Sequence, residues 1–335
     1  MSPTADMEFC RAAIRTGSLS FHAASKLLPS RVRDPAYVLY AFCRLADDAV
    51  DEGRHPAAAV LHLQERLDHA YAGQPFDDPV DRAFARMVAE YDMPRALPEA
   101  LLEGLAWDAE GRQCPTFSDV LSYSARVASV VGVMMCVLMG VRDRHRLARA
   151  CDLGLAMQLT NIARDVGEDA RNGRFYLPHD WFAAAGLCRD AFLRRPALSP
   201  EVQALVARLL CEADKLYQRA EPGIAALPLD CRTGIFAARH IYAAIGTALR
   251  AQGCDSIGRR ARTTSATKLR LLAWSGLRAG ASVVQPGMAT LYAPPRSEVA
   301  FLVQAAAVDG GEFRRSDALI DVLARLRQHD DMARP

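Results

Sequence analysis

Two pairs of aspartates at helical spacing, more than a hundred residues apart, are the side chains here best suited to chemistry. Asp47 and Asp51 lie in FCRLADDAVDEG with Asp48 between them, and Asp165 and Asp169 lie in QLTNIARDVGEDARNGRFYLP. Residues four apart share a helix face, so each pair projects two carboxylates in one direction. Set across one cavity, two such pairs would hold Mg²⁺, a hard cation that takes oxygen ligands and bridges a few carboxylates to substrate phosphates. That points to a diphosphate substrate. A diphosphate departs only if its developing charge is neutralised, best by metal ions and guanidinium groups in a dry site. Arg44, three residues before Asp47, and Arg164, Arg171 and Arg174, around the second pair, supply guanidiniums.

The elements that must position these groups read as helices. Asp34-Pro35 predicts an N-cap followed by proline at the first helical position, and no glycine or proline then intervenes before Gly53. A second helix is predicted from Arg144 to about Arg171, with Gly173 beyond its end and Gly154 and Gly167 weakening it. On it Gln158, Asn161, Asp165 and Asp169 fall at spacings of three, four and four. A polar stripe is usually a wet face, but Leu155, Leu159, Ile162 and Val166 surround this one, making it a narrow seam on a buried helix. Buried carboxylates need partners. The same reasoning applies to Asp47 and Asp51, whose helix carries Tyr37 to Phe42, Leu45 and Val50.

Further helices are predicted at Asp6–Arg15, Pro56–Ala72, Val80–Tyr91, Pro98–Trp107, Phe117–Met139, Glu201–Ala220 and Cys231–Ala251. Period-2 stretches of β-branched residues are scarce, so the fold class is all-α. The expected organisation is one helical domain over residues 1–293, then a segment, 294–335, of two short amphipathic helices, SEVAFLVQAAAV and SDALIDVLARLRQ, and a tail.

Composition removes several classes of function. A formal net charge of +2 is too small to argue for nucleic acid. Nine cysteines without a CxxC pair indicate neither a disulfide framework nor a zinc site, which fits a reducing cytosol. The start, MSPTADMEFCRAAIR, does not read as a signal peptide. The most apolar run, Val127 to Val141, falls short of the ~20 residues needed to span a bilayer and reads as a buried helix. Glu52 and His55 match one half of a di-iron ExxH site, but such a site needs two copies and Gly53 and Pro56 break the helix there. No HExxH, GxSxG, P-loop or GxGxxG motif occurs. The basic run Arg259, Arg260, Arg262, Lys268 and Arg270 could touch phosphate or anionic lipid, but a solvated face is the first reading of such a run.

With these residues in hand, the chain resembles the squalene/phytoene synthase family. The resemblance is carried by GSLSF (Gly17 to Phe21), YAFCRLADDAVDE, YSARVASVVG, NIARDVGEDARNGRFYLP and AARHIYAAIG, and spans nearly the whole sequence. It implies an isoprenoid-synthase fold around a central cavity, with Asp47, Asp51, Asn161, Asp165 and Asp169 as direct or indirect Mg²⁺ ligands, Mn²⁺ being an alternative. The catalytic set would be Asp47, Asp51, Asp165, Asp169 and Arg44. Ser18, Ser20, Phe21, Tyr40, Arg44, Gln158, Arg164, Arg174, Tyr176 and Tyr242 would bind substrate. The chain departs from the family pattern at Ser124, where cysteine is common, at Ser129, where glycine is common, and at Ala163, where a larger aliphatic is usual.

The implied reaction joins two geranylgeranyl diphosphates head to head through prephytoene diphosphate to phytoene, without NADPH. The alternative is dehydrosqualene or squalene formation from farnesyl diphosphate in a shorter pocket. Chain elongation, terpene cyclisation and a catalytically silent helical assembly factor are more distant readings. A lipid-soluble substrate and product leave room for peripheral attachment at the inner face of the cytoplasmic membrane and for contact with other enzymes of carotenoid synthesis.

Overall fold

The computed structural model describes residues 2–51, 56–284 and 288–307, and every regular element among them is helical. The first half comprises α1 (Pro3–Gly17), α2 (Leu19–Ser25), α3 (Ser30–Asp51), α4 (Pro56–Tyr71), α5 (Pro79–Glu90), α6 (Ala96–Ala109), α7 (Phe117–Ser124) and α8 (Val130–Leu138), with one π-turn, Ala125–Ser129, between α7 and α8. The second half comprises α9 (Arg144–Arg171), α10 (His179–Ala184), α11 (Arg189–Arg194), α12 (Pro200–Ala225), α13 (Leu229–Ala251), α14 (Ser265–Ala281) and α15 (Ala300–Ala306). Two short 3₁₀ turns, Ala289–Tyr292 and Ser297–Val299, precede α15.

Helix α9 is the axis of the bundle, packed by α8, α12, α13 and α15. Its bounds agree with the sequence reading because both ends are chemically marked. Asp143 accepts from the amide of Arg146 at 3.0 Å, and Gly173 takes φ +74°, a conformation that glycine adopts without a Cβ clash. The two internal glycines are places of close approach. A Cβ on Gly154 would lie 2.4 Å from Cα of Ser129, and one on Gly167 would lie 2.7 Å from Cα of Ile257. The helix-propensity cost of glycine is thus exchanged for backbone-to-backbone packing at two levels.

Helix α3 begins a turn earlier than the Asp34-Pro35 reading predicts, and Pro35 lies buried inside it. Proline leaves the carbonyl four residues back without its helical donor. Here the hydroxyl of Tyr91 donates to that carbonyl, on Arg31, at 2.8 Å. The long helix expected over Phe117–Met139 is interrupted by the π-turn. There Ser129 donates to the carbonyl of Cys151 on α9 at 2.8 Å, and Ser124 to that of Val120 at 2.7 Å. The run Phe117–Leu138 is long and apolar enough to cross a membrane by composition, yet most of it is buried in the bundle. Helices α2, α10, α11 and α14 were absent from the sequence reading. Within SEVAFLVQAAAV, Ser297–Val299 and Ala300–Ala306 are helical, and Val299, Leu302 and Val303 are buried against the same core as α9. SDALIDVLARLRQ and the Glu52–His55 motif lie outside the described residues.

Candidate active site

The two acidic motifs sit at the C-terminal ends of α3 and α9, and one residue ties them together. Gly173 reverses the chain after α9, so that the amide of Arg174 donates to the carbonyl of Asp169 at 2.8 Å while its guanidinium donates to the carboxylate of Asp51 on α3. That hydrogen bond raises the Arg174 pKa further, fixing it as a cation. The motifs are 123 residues apart along the chain at this contact, and the ion pair makes them one site.

Their surroundings differ from the sequence reading, which expected buried carboxylates in both. Asp165 is 14% exposed and is gripped by Arg164, at 2.8 Å from Nε, and by Arg260, at 3.0 Å. Arg260 also reaches Glu168 at 3.1 Å, so it is a partner of the second motif and not part of a solvated run. By contrast Asp47 is 52% exposed, and Arg44, 47% exposed, is held chiefly by Asp48 at 2.6 Å, with Asp47 at 3.9 Å. Asp47 nevertheless lies in a concavity, and burial followed by the nearby Asp51 charge raises its pKa. Asp169 goes further: burial, then repulsion by Asp165, raises it to about 7.

Three residues the sequence reading did not assemble complete the polar end. Asp108, at the end of the almost wholly buried α6, accepts from the hydroxyls of Tyr176 at 2.7 Å and Tyr123 at 2.9 Å, and the two rings stack with centroids 4.8 Å apart. Burial raises the Asp108 pKa to about 6, against the lowering effect of both hydroxyls. Tyr176 was a predicted substrate contact; the structure gives its hydroxyl to Asp108. The signal for Asp108 was one carboxylate closing an apolar helix, visible only as an isolated residue.

Beneath this polar end lies a cavity of about 440 Å³, walled mainly by apolar side chains from α3, α6, α8, α9, α12 and α13. Phe21, Tyr40, Arg44, Asp47, Asp108, Gln158, Asn161 and Tyr242 are on its wall. Asp51, Asp165, Asp169, Arg164 and Arg174 are not on that wall; Asp51 stands one turn beyond Asp47, and Asp165 and Asp169 one and two turns beyond Asn161. Phe21 packs on Tyr242 with ring centroids 5.0 Å apart. Tyr40 fills the space over Gly17, where a Cβ would meet its hydroxyl at 2.4 Å. Ser18 caps α2 by accepting from the amide of Phe21 at 3.3 Å, and Ser20 is half-buried on the same helix.

Among the described residues no three His, Cys, Asp or Glu side chains converge closely enough to hold a metal ion, and arginines pair with Asp48, Asp51 and Asp165. The donor set still fits a hard divalent cation in kind. It offers four carboxylates and the carboxamide of Asn161, whose buried Oδ1 has no hydrogen-bond partner. Crowding of Asp165 and Asp169 is what a cation would relieve.

The squalene/phytoene synthase profile matches residues 14–270. The chain belongs to the squalene/phytoene synthase family. It is 58% identical over 98% of its length, and 96% of the relative's, to a phytoene synthase of Cereibacter sphaeroides. It is 46% identical to a 15-cis-phytoene synthase of a Paracoccus species, over 83% of this chain and 95% of that one. Among solved structures, a dehydrosqualene synthase in complex with ligand superposes with a TM-score of 0.75 at 30% identity, covering 83% of this chain and 98% of that one. This squalene/phytoene synthase family member therefore has the all-α isoprenoid-synthase fold its sequence implied.

Proposed function

We propose that the chain is a phytoene synthase, a prenyltransferase that joins two molecules of geranylgeranyl diphosphate head to head and releases diphosphate. The single observation that carries the chemistry is the Arg174–Asp51 bridge, which makes two acidic helix ends one polar rim over an apolar cavity. The choice of substrate rests on the relatives named phytoene synthase, at 58% and 56% identity over 98% of the chain.

Asp47, Asp51, Asn161, Asp165 and Asp169 would hold Mg²⁺, with Mn²⁺ as a substitute. When bound, the cation supplies positive charge opposite the diphosphate oxygens. Arg44, Arg164 and Arg174 are the chain's own donors for those oxygens. Ser18, Ser20, Tyr40 and Gln158 add neutral donors beside them. Once diphosphate has left, the allylic cation must meet no nucleophile except the second substrate's double bond. The wall built by Val131, Met135, Leu153 and Met157 excludes water, and the faces of Phe21 and Tyr242 stabilise positive charge through their ring quadrupoles. Tyr242 stays protonated, since burial lifts its pKa to about 12. Attack followed by loss of a proton closes the cyclopropyl ring of prephytoene diphosphate, and a second ionisation, rearrangement and loss of a second proton give phytoene. No reductant is consumed, so NADPH has no place in the reaction.

The product and both substrates carry long prenyl chains, which favours work at the inner face of the cytoplasmic membrane, next to enzymes that use the hydrocarbon. The test of substrate is direct: purified protein is incubated with Mg²⁺ and either geranylgeranyl or farnesyl diphosphate, without nicotinamide, and products are identified by mass. A forty-carbon hydrocarbon from the twenty-carbon substrate supports the reading. Product from farnesyl diphosphate alone would transfer the chain to the dehydrosqualene-forming group, which the solved structural relative represents.

A further inference from the structure

Helix α14 is built the wrong way round for a helix on a water-soluble bundle. Its two fully buried residues are small: Ser275 has its Oγ 2.9 Å from Nδ1 of His240 on α13, and Ala279 is the other. Leu271 and Leu272 are partly buried, but the helix's other large apolar residues point away from the protein, with Leu269 70%, Trp274 50% and Leu277 68% exposed. Leu269, Ala273 and Leu277, four residues apart, form one outward stripe, and exposed Val283 and Val284 follow the helix end. Scattered surface leucines need no explanation, but a contiguous apolar face marks a contact surface.

The charge around that face names its partner. From Ile257 to Arg296 the sequence holds seven Lys or Arg and no Asp or Glu, in a chain whose net charge is only +2. Arg260, Arg278 and Arg296 are paired with acids elsewhere. Arg259, Arg262, Lys268 and Arg270 have no carboxylate partner among the described residues, and Arg270 stands exposed beside the leucine stripe. A second copy of the chain meeting this face about a twofold axis would bring the same positive surplus against itself. Lipid phosphates would neutralise it, while the headgroup boundary accepts leucine and tryptophan.

We propose that the outward face of α14 docks on a bilayer carrying anionic lipid, with Leu269, Trp274 and Leu277 entering the interface. The proposal deepens the membrane reading given above and rests on it for the reason a bilayer is there. Docked this way, α14 would lay α13 close to lipid, and α13 contributes Ile235, Ala238 and Tyr242 to the cavity wall.

Tryptophan fluorescence tests this cleanly, because Trp107 and Trp181 are buried and Trp274 is the remaining one of three. Adding vesicles that contain phosphatidylglycerol to the full chain should blue-shift its emission and carry it upward on flotation; pure phosphatidylcholine should do neither, and Trp274→Phe should lose the shift. Leu269→Ser with Leu277→Ser should weaken partitioning by at least about tenfold, since desolvating even one leucine side chain is worth about that much. Should that variant melt early, Lys268→Glu with Arg270→Glu serves instead and should lower binding and its salt sensitivity. Absence of a shift with anionic vesicles, or equal binding to neutral ones, overturns the proposal. So does a solution dimer that the leucine variant splits, which would give the face to a second copy. None of these measurements contains a prenyl diphosphate, so their failure leaves the condensation assay standing.

Discussion

The ends of α3 and α9 carry the same acidic spacing in unlike surroundings. Asp165 is nearly enclosed and held by two arginines, whereas Asp47 is half exposed and its neighbour Asp48 takes the guanidinium of Arg44. Helix α9 is fixed on several sides by packing, and the end of α3 is tied to it by the Arg174–Asp51 bridge. One pair is positioned by the framework and the other by counter-charge. Electrostatic catalysis depends on groups already in place when charge develops, so the framework-held pair should matter more.

The largest expected effect follows from that. Asp165→Asn should lower product formation by about 10³-fold and Asp47→Asn by about 10²-fold, within the range seen when one preorganised charge-stabilising group is removed. Steady-state kinetics with saturating Mg²⁺ checks it, and equal losses would break the distinction. Next, Arg174→Ala should cost about 10²-fold in kcat/KM and Arg174→Lys less, because lysine keeps a cation but loses the fork. If alanine at this position is harmless, the α3 pair is placed by something other than the bridge.

The smallest effect is thermodynamic and concerns Asp108, between the two motifs. Its pKa rises from 3.8 to about 6 on folding, so the folded chain holds a proton that the unfolded chain gives up. That contribution is fully present below about pH 4 and is lost as pH rises through about 6. Melting curves of Asp108→Asn should therefore lack a decline of at most about 2 kcal/mol across that window, after discounting for water in the cavity. A parallel pH profile in both proteins would show that Asp108 is ionised throughout.

The same contrast explains what could be read from the sequence. Helix α9 was legible to its bounds because Asp143 and Gly173 mark its ends, and its acids stood out against apolar neighbours. The apolar run Val127 to Val141 also stood out as interior, and Val133, Met134 and Cys136 to Met139 within it are buried. Asp34-Pro35 imitates an N-cap, and only Tyr91, from a different helix, reveals why the helix passes through it. Arg260 could not be assigned because its partner Asp165 is 95 residues away, brought near by the close approach at Gly167. Asp108 carries no periodic signal, and its role arises from tyrosines on two other segments. Helix α14 escaped because its apolar face points outward, the reverse of the pattern that marks a helix on a core.

The central claim is that carboxylates from α3 and α9 act as one unit on the diphosphate. A double-mutant cycle on kcat/KM with Asp51→Asn and Asp169→Asn tests it most directly. If the two act together, the double variant is barely slower than the worse single one, since residues of one machine are grossly non-additive. A double variant whose loss equals the product of the two single losses would mean that each pair works alone.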